Sequence, residues 1–181
     1  VARGALAEGA AIVNDVSALR LDARMAEVVA DRGAGLVLMH SRGSVTEMAS
    51  YDSARYGADP VGEMVDELGA RAQQARAAGV PAQHIVLDPG LGFSKRTEHS
   101  VAAIAQLGRI LALGYPVLLG PSRKRFVGEL TGGLPAEGRL EGTIGACVAG
   151  LLHGARIFRV HDVAPVRRAL LVADAVHGAQ P

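Results

Sequence analysis

The sequence predicts an α/β chain of repeated strand–helix units with a parallel sheet, of the barrel type. Three observations predict it. Short apolar runs recur five times, helical patterns fill the gaps between them, and polar residues gather at the far end of every run. The runs are continuous Val, Ile and Leu rather than alternating, which suits strands buried on both faces, as in parallel sheets.

The units come in order. "EGAAIVND" (8–15), "RGAGLVLMH" (32–40), "GVPAQHIVLDPG" (79–90), "LGYPVLLGPSRK" (113–124) and "HGARIFRVHD" (153–162) each place a glycine before the apolar run, where a helix C-cap belongs. Between them, 22–33 carries Met25, Val28 and Val29 at helical spacing. Residues 60–79 open on Pro60 and place Met64, Val65, Leu68, Ala72 and Ala75 on one stripe. Residues 98–114 repeat Val101, Ile104, Leu107 and Leu111, and 139–154 and 163–178 complete the set. The polar stretch 41–60 is a long loop after a strand, of the kind that carries function or moves.

Strand and helix alternate without a linker-like shift in composition, so 1–181 reads as one domain. No GxGxxG turn follows the first strand, which leaves a dinucleotide fold without support. Polar residues at every strand's C-terminal end match the rim where a TIM-type (β/α)8 barrel builds its active site. Such a barrel takes roughly 250 residues. The reading is therefore the last five units of a barrel, with the expectation that three more precede Val1, where "VARGALAEGA" looks like a helix end.

Composition narrows the function classes. Nineteen Lys and Arg nearly balance eighteen Asp and Glu, for a net charge of +1, so bulk charge does not drive nucleic-acid binding. Aromatic residues are 3% of the chain, so the core is aliphatic. The single Cys147 excludes an internal disulfide and favours a reducing, cytoplasmic setting. No apolar run approaches the ~20 residues of a membrane span, and no signal peptide is visible.

The strand-end polar set is Asn14, Asp15, His40, Asp88, Ser122, Arg123, Lys124, Arg159, His161 and Asp162. On parallel neighbouring strands these converge on one mouth. Each also has a structural reading. Asp15 suits an N-cap or a residue that orients a loop, Asp162 an N-cap, His40 a satisfied core histidine, and Arg123 a loop ion pair. In "DPGLGFSK" (88–95) a carboxylate ends a buried strand, two glycines shape the following loop, and Phe93 rides on it. Such a carboxylate is either an N-cap or an acceptor for the amino and ring N–H donors of a heterocycle. "GPSRKRFVG" (120–128) puts Ser122 and Lys124 at a helix start, either an anion-friendly end or a basic surface turn. In "RIFRVHD" (156–162), Ile157, Arg159 and His161 share one strand face, with Phe158 and Val160 on the other. Arg and His together make an anion site, or else a structural pair with a satisfied histidine.

"IVNDVSALR", "LVLMHSRG", "IVLDPGLGFSKRTEHS", "PVLLGPSRKRFVGEL" and "RLEGTIGACVAGLLHGARIFRVHDV" together resemble the dihydropteroate synthase family, the folate-pathway enzymes that sulfonamides target. The resemblance covers essentially the whole chain. It implies a barrel enzyme that joins 4-aminobenzoate to 6-hydroxymethyl-7,8-dihydropterin diphosphate, releasing pyrophosphate, with Mg²⁺ assisting. It implies that Asn14, Asp88 and Lys124 hold the pterin, with Val16, Met39, Phe93 and Gly120 lining its pocket. It assigns Arg159 and His161 to the diphosphate, and makes Asp88, Lys124, Arg159 and His161 the catalytic set. It places the aminobenzoate near Phe93, Arg123, Lys124 and Arg125, and a homodimer on 139–154 and 163–178. The family's magnesium-contacting Asn has no counterpart here, so no metal ligand is assigned to this chain. Arg125 stands where many members carry Ser, and Ser100 where Asn is common. Two alternatives share the pterin floor: a methyltetrahydrofolate-dependent methyltransferase domain, which has no need of the "SRK" and "RVHD" anion set, and a non-catalytic relative.

Overall fold

The computed structural model describes residues 1–22 and 24–179. All five apolar runs form strands: β1 (Ile12–Asp15), β2 (Gly35–Met39), β3 (Ile85–Asp88), β4 (Leu118–Leu119) and β5 (Ile157–Phe158). Every pairing is parallel. β1 pairs with β2 and β2 with β3, while β4 pairs with β5. A parallel bridge between Leu87 and Val117 joins the two groups. The strands thus follow one another in chain order. The glycines before them, Gly9, Gly33, Gly79, Gly114 and Gly154, all have positive φ, from +59° to +103°. That left-handed turn lets each helix stop and the chain enter the sheet.

The helices are α1 (Ala2–Ala7), α2 (Met25–Asp31), α3 (Pro60–Ala77), α4 (Thr97–Ala105), α5 (Leu107–Leu111), α6 (Arg125–Leu130), α7 (Leu140–Leu152) and α8 (Val163–Gly178). In α3 the Asp59 side chain accepts from the Gly62 amide, Pro60 sits at the first turn, and Val61, Met64, Leu68, Ala72 and Ala75 are buried. The pattern over 98–114 is two helices rather than one. Gln106, at φ −109° and ψ 27°, leaves the helical range, and Gly108 just beyond it is a weak helix former. The stretch between β2 and α3 has no helix or strand of its own.

Side chains alternate across the strands, and the two faces differ. Leu36, Leu38, Ile85, Leu87, Val117 and Leu119 join Met64, Leu68, Leu107 and Ile110 in an aliphatic core beneath the helices. The opposite parity carries Ile12, Asn14, Val37, Met39, Asp88 and Gly120. The expectation of strands buried on both faces holds at the centre, where Met39 is fully buried, and fails at the flanks. Ile12 is 62% exposed and Ile157 36%. The helices cover only one face, and the flanking strands have fewer neighbours across the other.

Candidate active site

The polar parity meets at the strands' C-terminal ends in a cleft of about 460 Å³. Asn14, Val16, Met39 and Phe93 line one part of it, and Gly120, Lys124, Arg159 and His161 the other. Asp88 lies at the floor with no solvent exposure. Its Oδ1 accepts from the Gly90 amide at 2.7 Å. Its Oδ2 accepts from Arg159 Nη2 at 2.8 Å, and Arg159 Nη1 donates to Asn14 Oδ1 at 2.6 Å. Burial pushes the Asp88 carboxyl up from its ordinary pKa, and Arg159 and the Gly90 amide oppose that. Arg159 and His161 do share the inward face, and the Arg159 guanidinium bridges Asp88 and Asn14. A buried carboxylate takes the nearest cation, and the planar fork spans both acceptors.

Gly120 makes that placement possible. A Cβ there would lie 2.9 Å from Arg159 Nη2. Lys124 runs its stem along Gly92, whose φ is +72°, and brings Nζ to 3.4 Å from the centroid of the Phe93 ring. Burial, helped by Arg159 and opposed by Asp88, lowers Lys124 to about 8.

Ser122 is a site residue that single-residue reasoning undervalues. Its hydroxyl accepts from the His161 amide at 3.1 Å and lies 2.9 Å from His161 Nδ1. Lys95 is a second. It is 1% exposed, and its ammonium meets His40 Nδ1 at 2.9 Å, the Phe93 carbonyl at 3.0 Å and the His40 carbonyl at 3.3 Å. His40 Nε2 in turn faces Glu67 at 3.1 Å. His40 is therefore the satisfied core histidine, although its partners hold the Phe93 loop. The sequence signal for Lys95 is its place at the end of "DPGLGFSK", on the loop that follows a buried strand.

Four further residues have structural partners. Asp15 accepts from the Ser17 amide (2.8 Å) and hydroxyl (2.7 Å) and from the Leu19 amide (2.7 Å), so it shapes the turn that carries Asn14 and Val16. Asp162 does stand at the N-cap of α8, but its side chain makes no cap bond. It pairs instead with Arg123 through two contacts of 3.1 and 2.9 Å. Arg123 is thereby the loop ion pair of its structural reading, and it does not line the cleft, where the resemblance puts it near the aminobenzoate. Arg125 is also outside the cleft. Its guanidinium lies 4.4 Å over the Tyr51 ring and donates to the Ala49 carbonyl at 3.3 Å. Tyr51 donates to Glu129 at 2.7 Å, which fastens the loop after β2 onto α6.

A family model described as "Pterin binding enzyme" matches residues 1–161. A dihydropteroate synthase of Mycobacterium leprae is 45% identical over 180 residues, 97% of this chain and 63% of that one. The solved dihydropteroate synthase of Thermus thermophilus in complex with 6HMPPP is 43% identical. The match covers 98% of this chain and 69% of that one, with a TM-score of 0.89. An "Inactive dihydropteroate synthase 2" of Mycobacterium bovis is 37% identical over 100% of this chain and 57% of its own length. The chain spans between 33% and 63% of the length of four curated relatives it matches, two of them bifunctional folate-synthesis proteins.

Proposed function

This chain belongs to the pterin-binding enzyme family, and from that premise we propose that it carries the working cleft of a dihydropteroate synthase. The whole protein would condense 6-hydroxymethyl-7,8-dihydropterin diphosphate with 4-aminobenzoate in folate synthesis, on an eight-unit barrel of which these are five units. One observation carries the reading. A buried carboxylate and an amide oxygen form a floor, and three cationic or imidazole side chains stand over it in the same cleft.

In this reading Asp88 and Asn14 accept hydrogen bonds from the pterin's amino and ring N–H groups, and Lys124 donates to its carbonyl or ring nitrogen. Met39, Val16 and Gly120 shape the slot. Arg159 and His161 stabilise the diphosphate as it departs with the electron pair of the methylene C–O bond. The aniline nitrogen of aminobenzoate, held at the Phe93–Lys124 end, forms the C–N bond and then loses a proton. The protein supplies position and charge, not a nucleophile.

The described residues do not fit a protein-held magnesium ion. No three His, Cys, Asp or Glu side chains gather to hold one, and the cleft's rim is cationic. Mg²⁺ is proposed only as a companion of the diphosphate, and no step is derived through it. Among the described residues no helix is long and apolar enough to cross a membrane. A cytoplasmic setting belongs to the proposal, as does a homodimer. The dimer is supported by exposed Leu152 on α7 and by Leu171, Val172 and Val176 on α8.

Pyrophosphate release from the whole gene product, given both substrates, tests the activity. A second reading, binding without turnover, has the similarity to the inactive M. bovis protein on its side. A folded protein that binds the dihydropterin diphosphate yet releases no pyrophosphate would establish it. The methyltransferase reading gives no use to His161 and Lys124. It would stand if the protein released no pyrophosphate yet bound methyltetrahydrofolate with an affinity that Arg159→Ala left intact.

A further inference from the structure

Asn14 Oδ1 and Asp88 Oδ2 accept from the two terminal nitrogens of a single guanidinium, that of Arg159, at 2.6 and 2.8 Å. A guanidinium is a planar fan of N–H donors around one carbon. The recognition edge of a pterin has the same construction, an amino group and a ring N–H on one carbon, and is a cyclic guanidine. Arg159 and the heterocycle therefore offer one donor pattern to one acceptor pair. The carboxylate cannot serve both in full. Its other oxygen, Oδ1, is already bonded to the Gly90 amide at 2.7 Å, and the whole group is enclosed.

We propose that Arg159 is an intramolecular occupant of the heterocycle's floor, that the pterin binds by displacing it, and that the displaced guanidinium then becomes the diphosphate's partner. This rests on the pterin reading given above and goes beyond it. Arg159 becomes a specificity-determining competitor at one subsite as well as a ligand at the next. Three features support it. The backbone is pared to glycine at position 120, where a Cβ would crowd Nη2 at 2.9 Å, so the inward seat is sterically provided for. The Arg159 side chain is 42% exposed, so it reaches in from the rim and is free to leave. Asp88 also keeps a partner when Arg159 departs, because its Oδ1 still accepts from the Gly90 amide at 2.7 Å.

The consequence is a coupling between subsites. Only a ligand with a guanidine-type edge exchanges for Arg159 without leaving Asp88 unpaired, which would be costly in a buried site. Each such exchange assembles the anion site, so heterocycle recognition and diphosphate binding reinforce one another, reciprocally.

Calorimetric titration of the whole gene product tests this with two probes, 6-hydroxymethyl-7,8-dihydropterin without its diphosphate, and inorganic pyrophosphate. Arg159→Met removes the competitor. It is expected to bind the bare heterocycle about three- to tenfold more tightly, the occupancy penalty being lifted, and to bind pyrophosphate more weakly. In the wild-type protein each probe is expected to tighten the other, and the variant to lose that coupling. Unchanged or weaker heterocycle binding by a folded Arg159→Met overturns the inference. Should that variant not fold, the wild-type coupling and Arg159→Lys, which keeps the charge but loses the fork, decide it. Independent binding of the two probes to the wild type sinks the inference alone. A wild type that binds no heterocycle at all sinks the pterin reading with it.

Discussion

Lys95 Nζ and His40 Nδ1 share a buried hydrogen bond of 2.9 Å whose direction is fixed by its surroundings. His40 Nε2 faces the Glu67 carboxylate at 3.1 Å, which only accepts, so Nε2 carries the proton and Nδ1 accepts from lysine. Burial, reinforced by Lys95, holds His40 down at about 4, and Glu67 only partly offsets that. Burial lowers Lys95 to about 7 against the pull of Asp88.

The Lys95 shift predicts a pH dependence of stability. The unfolded chain keeps its lysine protonated to about pH 10, while the folded chain releases this proton near pH 7. Between those values the unfolded state binds more protons, so stability rises with pH by up to about 1.4 kcal/mol per unit from this group. Urea unfolding between pH 7 and 9.5 should show a shallower rise for Lys95→Met than for the wild type. Parallel slopes would refute the assignment.

Ser122 predicts an effect confined to anions. Its oxygen accepts from the His161 amide and lies 2.9 Å from Nδ1, so it holds the imidazole that lines the cleft. Ser122→Ala should weaken pyrophosphate binding about two- to tenfold, the worth of one hydrogen bond. Binding of the bare pterin should stay within error. An equal loss for both ligands would mean that Ser122 supports the whole cleft instead.

Lys124 predicts a pH step in ligand binding. With its pKa near 8 it is a cation below that value and neutral above it. Affinity for the dihydropterin diphosphate should be full below about pH 8 and decline above it. Lys124→Met should bind weakly with no such step. A step that survives in the variant belongs to another group.

Two glycines should respond differently to alanine. Gly90 has φ +66°, and a Cβ there would lie 2.1 Å from the His40 carbonyl oxygen. Gly114 has φ +84° with nothing within 4 Å of the added atom. The left-handed backbone alone costs about 1–2 kcal/mol, so Gly114→Ala should lose about that much. Gly90→Ala must also move backbone and should lose more than about 3 kcal/mol. Melting curves of the two variants make the comparison, and equal losses would contradict it.

What the sequence made legible was periodic or local. Continuous Val, Ile and Leu runs behind glycines located all five strands, and strand parity put Arg159 and His161 on one face. The break at Gln106 was hidden because its neighbours keep the helical apolar spacing. The partners of Arg159 were hidden for another reason. Asn14 is 145 residues away and Asp88 71, a meeting that only the closed fold reveals. Local rules also lost to tertiary ones. Asp162 has the right place and chemistry for a cap, but the Arg123 guanidinium claims its carboxylate. Lys95 would ordinarily be assigned to the surface, and it is buried because two carbonyls and an imidazole nitrogen, drawn from two separate strand ends, surround its terminal nitrogen.

The division of the strands into an aliphatic face and a polar face also governs how this chain tolerates insertions and deletions. Within β3, removing a single residue would rotate the remainder by one step, carrying Asp88 toward the helices and Leu87 into the cleft. A shift of one position would thus destroy binding and core packing together. A deletion in the helix-free stretch after β2 would reverse no strand's parity, although it would disturb the seats of Met48 and Tyr51. The parity thus puts the cost of a length change within the strands, and leaves the segments between them as the places where the chain can be lengthened or shortened without exchanging its two faces.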